Sequence, residues 1–197
     1  PSRWFSSRIE QESPFGKVES LLDYAIAKGT YTLLLDKNYR SSFASLMLFN
    51  SQVFYKGELD VVDTKFLTKK DPIEVINVDG VWEESKNEKE LNEIINQATL
   101  NLNKYNKIIL LAFNSSQQLS IENSIIESYP ELELAMTQKK LLIRNIENIQ
   151  GDEADLLIVS VAYDKNTKLH STYIAKSGGK NALNVATSRA REKMIVI

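Results

Sequence analysis

Apolar positions fall in two alternating rhythms along this chain. Between residues 17 and 28, Val18, Leu21, Leu22, Ala25 and Ile26 recur at helical spacing, and Gly29 supplies a C-terminal stop. The rhythm returns from Phe43 to Phe54 and from Asn87 to Tyr105, where Leu91, Ile94, Ile95, Ala98 and Leu102 form one stripe. A further helix is expected from about Ser116 to Ser128. Short continuous apolar runs lie between: Thr30 to Leu35, Ile73 to Val78, Lys107 to Ala112, Leu156 to Val161 and Met194 to Ile197. Each reads as a strand. Strands apolar on both faces, alternating with amphipathic helices, predict an α/β domain whose mainly parallel sheet has helices on both faces. Ligands in such sheets collect at the carboxyl ends of strands, so the motifs described below are expected at those ends.

Composition narrows the function classes. The 197 residues suit one domain with a sizeable core. With 24 Lys and Arg against 26 Asp and Glu, the chain lacks the basic balance of a dedicated nucleic-acid-binding module, though a local basic rim is still allowed. There is no cysteine, which excludes disulfides and thiolate metal sites. The single histidine, His170, lies in a polar stretch and reads as a solvated loop residue. No apolar run approaches the ~20 residues that span a bilayer, and no signal-peptide pattern opens the chain. A cytoplasmic protein without membrane contact is the expectation. Residues 1–16, with Pro14 and Gly16, read as a connecting segment, and residues 17–197 as the domain. Pro1 and the apolar run that ends at Ile197 suggest a piece of something longer.

Three segments carry candidate chemistry. Tyr39 and Arg40 follow the Thr30–Leu35 run directly. They suit either a surface turn with a partly packed ring, or a purine stacked on tyrosine with a guanidinium forked onto phosphate. Gln150, Gly151, Asp152 and Glu153 precede the Leu156 run. Here the choice lies between an acidic turn and a nucleotide contact in which Gly151 permits close approach and Glu153 accepts a ribose hydroxyl. Arg189 and Arg191 sit in a small-residue run before the final strand, suited to a phosphate chain.

Two look-alikes fail on spacing. Residues 152–155 spell Asp-Glu-Ala-Asp, but a magnesium-binding box needs its acids at the carboxyl end of an apolar strand, and here the strand comes after them. Ser177-Gly-Gly-Lys180 lacks the first glycine and the final Ser/Thr of a phosphate loop, because position 174 is Ile and position 181 is Asn.

Taken in order, the segments resemble the second RecA-like motor domain of superfamily 1 helicases, in the branch of the nonsense-mediated-decay helicase and its bacterial relatives. Pro1 to Phe5 resembles the tail of motif III, and Ser20 to Leu59, through Asn38-Tyr-Arg-Ser41, the motif IV region. Leu111 to Asn114 with Gln117 resembles the strand–loop element that follows. Asn145 to Asp155 resembles motif V, and Leu183-Asn-Val-Ala-Thr-Ser-Arg-Ala-Arg191 motif VI, with Ser188 where Thr is usual. The resemblance implies that Tyr39 stacks on adenine and that Arg40 reaches the terminal phosphate. It places Gln150, Gly151 and Glu153 beside the nucleotide, with Arg189 as arginine finger and Arg191 in support. Asn145, Asn114 and Ser115 would touch the nucleic-acid backbone, although Asn145 stands where Ser or Thr is common. ATP and magnesium would be held by a first RecA-like domain that carries the phosphate loop. Single-stranded DNA or RNA would cross both domains, and this half alone would be inactive. The alternative reading is a noncatalytic module that binds nucleic acid or protein on a helicase-like fold.

Overall fold

A computed structural model describes residues 21–33, 37, 38, 40–64, 71–168, 170 and 172–197. The chain divides into two units, with the boundary between Leu35 and Asp36. In the first, helix α1 (Leu21–Ala27) contains no buried residue. Gly29 ends it at φ 77°, with its N–H on the Ile26 carbonyl, as the glycine stop predicts. Thr30 to Leu33 is not a strand, and the rest of that expected run lies outside the described residues. Also outside them are Tyr39 and the 1–16 segment.

The second unit is a five-stranded parallel sheet. Its strands are β3 (Ile73–Val75), β4 (Ile108–Ala112), β5 (Leu141–Asn145), β6 (Ala154–Ser160) and β7 (Ala190–Val196), in the order β3-β7-β6-β4-β5. A separate parallel pair joins β1 (Lys37–Asn38) to β2 (Asp60–Val61). The core strands β4 and β6 lie in the middle of the sheet, which is why their runs are apolar without alternation.

Side-chain alternation in those strands builds two cores. Ile108, Leu110, Leu156 and Ile158 face one side, under helices α3 (Glu88–Asn101), α4 (Ser115–Ser128) and α5 (Pro130–Thr137). Ile109, Leu111, Leu157 and Val159 face the other, where Leu46 of helix α2 (Ser45–Phe54) and Ala186 of helix α6 (Gly179–Thr187) complete the layer. The predicted α/β architecture, with helices on both faces of a parallel sheet, is therefore observed. The structure adds α5, β5, α6 and the short strand β1 to the pattern read from the sequence.

Candidate functional site

The start of β7 is the point where the guanidinium-bearing segments meet. Ser41 Oγ donates to the Ala190 carbonyl at 2.9 Å and Ser42 N–H to the Arg191 carbonyl at 2.6 Å. On the other side, Ala154 N–H donates to the Arg189 carbonyl at 3.2 Å. Backbone bonds thus bring residues 40–42, 152–154 and 189–191 to one edge. Sequence reasoning had no signal for the stitching role of Ser41 and Ser42.

Among the described residues, Glu153 is the carboxylate that joins these groups. Arg40 Nε donates to Glu153 Oε2 at 3.1 Å, and Arg191 Nη1 lies 3.7 Å from Glu153 Oε1. Arg189 is half-buried and folded back on its own helix end: Nε donates to the Val185 carbonyl (2.7 Å), Nη1 to the Asp152 carbonyl (3.3 Å) and Nη2 to Ser188 Oγ (3.0 Å). Ser188 at the position where Thr is usual therefore still uses its hydroxyl. Burial, followed by the like charge of Arg40, lowers the affinity of Arg189 for its proton. It nevertheless remains a cation, as arginine does in proteins.

The other acids of the 152–155 run have separate duties. Asp152 Oδ2 accepts from Arg144 Nε at 2.6 Å, and Asp155 Oδ2 accepts from the N–H groups of Asn106 and Lys107, both at 3.2 Å. They diverge instead of converging on a common point. Among the described residues no group of three or more His, Asp or Glu is arranged to hold a metal ion. With Asp152 matched by Arg144, the guanidinium groups of Arg40, Arg189 and Arg191 outnumber the Glu153 carboxylate among the described residues. That excess of positive charge fits a polyphosphate anion and does not fit a cation.

The position of this cluster corrects one expectation. Glu153 and Arg189 stand immediately before β6 and β7, and Arg191 is the second residue of β7, so the cluster occupies the amino edge of the sheet and not the carboxyl edge. The chain leaves the carboxyl end of β5 at Asn145 and returns to the amino end of β6 within residues 146–153, with Ile146 and Ile149 buried against the sheet. Gln150 and Gly151 are exposed on this crossing, Gly151 at φ 94°.

Asn145, Asn114 and Ser115 lie at the opposite, carboxyl edge, on the adjacent ends of β5 and β4. Asn145 is buried: its Oδ1 accepts from the N–H groups of Glu147 and Asn148, and its Nδ2 donates to Gln118 Oε1. Asn114 caps α4 through Oδ1 to Gln117 N–H, while its buried Nδ2 has no partner among the described residues. Ser115 is exposed.

A buried polar contact ties together the two helices next to the arginines. Asn50 of α2 donates to the Asn184 carbonyl, Asn184 Oδ1 and Thr187 Oγ1 of α6 at 2.8–2.9 Å, and Asn184 Nδ2 donates to the Tyr55 hydroxyl. Asn50, Tyr55 and Arg144 carry no motif signal, and only the fold reveals their place beside the cluster.

Residues 18–197 match the family model described as an AAA domain. The chain belongs to that family, in its superfamily 1 helicase C-terminal form. The domain is 29% identical over 215 residues to the uncharacterized ATP-dependent helicase MG140 of Mycoplasma genitalium, and equally to its homolog in Mycoplasma pneumoniae. Each match covers 98% of this chain but 19% of the relative, so the chain spans about a fifth of the curated proteins it matches. Among solved structures, it is similar to the C-terminal domain of a possible DNA helicase from Lactobacillus plantarum WCFS1. That likeness has a TM-score of 0.48 and 13% identity, and covers 81% of this chain and 87% of the other. No helix among the described residues is long and apolar enough to cross a membrane.

Proposed function

We propose that residues 17–197 are the second motor domain of an ATP-dependent superfamily 1 helicase, active only with its first domain. The single observation that supports this most is the meeting of Arg40, Arg189 and Arg191 beside Asp152 and Glu153 at the amino edge, with Arg40 drawn from 113 residues before Glu153. Both partners of the Arg40–Glu153 pair are more than a third exposed, and such pairs contribute at most ~1 kcal/mol to stability. The arrangement is better explained by a ligand than by the fold.

ATP, with magnesium held by the first domain, supplies the phosphoanhydride whose cleavage drives the motor. The residues of this chain act on charge and position. Arg189 and Arg40 present guanidinium groups to the terminal phosphate and stabilise the charge that develops there, the kind of contribution worth roughly 10³–10⁵ in rate. Arg191 shares the Glu153 carboxylate with Arg40 and supports the cluster. Gln150, Gly151 and Glu153 border the nucleoside, and Tyr39 stacks on the base. Asn114, Ser115 and Asn145 mark the carboxyl edge as the side for a single strand of DNA or RNA. The orphaned Asn114 Nδ2 is a buried donor at that edge with a hydrogen bond still to make. Nucleotide on one edge and strand on the other lets closure of the domains at the first alter the grip at the second. We place the intact protein in the cytoplasm.

The test is ATP turnover by the intact protein with and without single-stranded DNA or RNA, beside the pure 197-residue chain. Strand-stimulated turnover by the intact protein and none by the chain alone is expected. Turnover by the chain alone, or an intact protein that never hydrolyses ATP, refutes the reading.

A further inference from the structure

We propose that Trp82 and Tyr163 form a stacking platform for a base of single-stranded nucleic acid at the carboxyl edge of the sheet. The inference rests on the helicase reading above and adds a contact which that reading does not contain.

The sheet order carries the argument. Along the carboxyl edge, β5 ends at Asn145, β4 at Ala112 with Asn114 and Ser115 beyond, and β6 at Ser160 with Tyr163 three residues on. Neighbouring strands lie about 4.8 Å apart, so these three loops are consecutive steps along one rim. The β4 and β6 loops are joined directly: Phe113 N–H donates to the Ser160 carbonyl, and Gln117 Nε2 to Ser160 Oγ. A strand that passes Asn145 and Asn114 therefore meets the loop that carries Tyr163 next.

That loop is held rigidly. Glu90 Oε2 accepts from Ser160 Oγ and from Ala162 N–H, both at 2.7 Å, with Ala162 at φ 70°. Asn87 Nδ2 donates to the Ala162 carbonyl. The Trp82 and Tyr163 rings meet edge to face, centroids 5.6 Å apart at 65°, the arrangement aromatic pairs prefer. The backbone N–H of Trp82 donates to Asp164 Oδ2 at 3.2 Å. Asp164 also accepts from Asn166 N–H, Thr167 N–H and Thr167 Oγ1, which fixes the turn.

Both rings are half-buried; Trp82 lines an open depression of about 420 Å³ together with Val81, Glu83, Asp164, Thr167 and Lys168, and Tyr163 packs against Trp82 without lining it. With Glu83 and Asp164 against Lys168, the lining carries more negative than positive charge and disfavours phosphate oxygens. A base, which has an uncharged π-face, is the part of a nucleotide it can take. Stacking of this kind is sequence-tolerant and weakens binding by about 5- to 100-fold when one ring is removed.

The test uses the intact protein and fluorescein-labelled oligo-dT and oligo-rU, with affinity measured at several salt concentrations. Trp82→Ala and Tyr163→Ala should each weaken binding about 5- to 100-fold, and Trp82→Phe by less than about 3-fold. The slope of log affinity against log salt should not change, because no phosphate contact is lost. A 5-iodouracil oligonucleotide should photo-crosslink to the peptide carrying Trp82 or Tyr163, a readout that needs no variant to fold. Unchanged affinity in the alanine variants, an altered salt slope, or crosslinks only elsewhere overturns the platform. If the strand binds and only Asn114→Ala or Asn145→Ala weakens it, the platform fails while the helicase reading stands. If the wild-type intact protein binds no strand, it is the helicase reading that fails.

Discussion

Arg40 Nε and Glu153 Oε2 lie 3.1 Å apart across 113 residues of chain. Both side chains are substantially exposed, and Glu153 is shared with Arg191. Solvent screens such a pair, so Glu153→Ala should cost the 197-residue chain less than ~1 kcal/mol by urea unfolding. The same change in the intact protein should raise KM for ATP, because it removes the carboxylate that Arg40 and Arg191 share and with it the proposed ribose acceptor. A large stability loss with unchanged KM would make the pair a structural one.

Glu90 provides a proton-linked prediction. Burial raises its carboxyl above the ordinary value, against hydrogen bonds from Ala162, Ser160 and Val161 that favour the ionised form. The folded state therefore holds the proton more tightly than the unfolded chain. The resulting stability is fully present below the ordinary glutamate range and is lost as pH rises through the raised value. Glu90→Gln should remove that pH dependence. At neutral pH it should also cost about 1–3 kcal/mol, since an amide cannot replace a carboxylate that accepts on both oxygens. Urea midpoints of the two proteins between pH 4 and 8 provide the check. Parallel curves would contradict it.

Gly179 explains why a phosphate-loop look-alike stands at 177–180. It is the first residue of α6, and a Cβ there would lie 2.3 Å from the Tyr173 carbonyl oxygen and 2.4 Å from that of Ile174, backbone atoms that cannot swing away. Gly179→Ala should destabilise the chain by about 1–3 kcal/mol or more. Lys180→Ala should be nearly neutral, because the Lys180 ammonium only overhangs the Phe54 ring at 5.9 Å. Thermal midpoints of both variants decide it, and the reverse ranking would restore a functional role to the lysine.

The sequence made some of this legible and hid the rest for physical reasons. β4, β6 and α3 announce themselves because central strands are apolar on both faces and α3 buries one continuous stripe. α6 was hidden because two glycines, Lys180 and two asparagines disguise a helix whose fully buried side is narrow. β5 was hidden because its Leu-Leu-Ile-Arg-Asn alternates buried and half-buried positions and ends in a polar turn. Arg40, Arg189 and Arg191 could be singled out as candidates for phosphate contact, yet the amino edge on which they meet could not be read. Which edge a loop occupies depends on the 146–153 crossing, whose direction is a property of the sheet. Trp82 and Tyr163, separated by 81 positions, had no sequence signal at all.

The central claim is that Arg189, folded back here on Val185 and Asp152, acts on a phosphate supplied by another domain. The most direct test is steady-state ATP turnover of the intact protein carrying Arg189→Ala, with its thermal midpoint as the fold control. If Arg189 acts on that phosphate, kcat falls by roughly 10³-fold or more while the midpoint hardly moves. Turnover equal to wild type in a folded variant would contradict it.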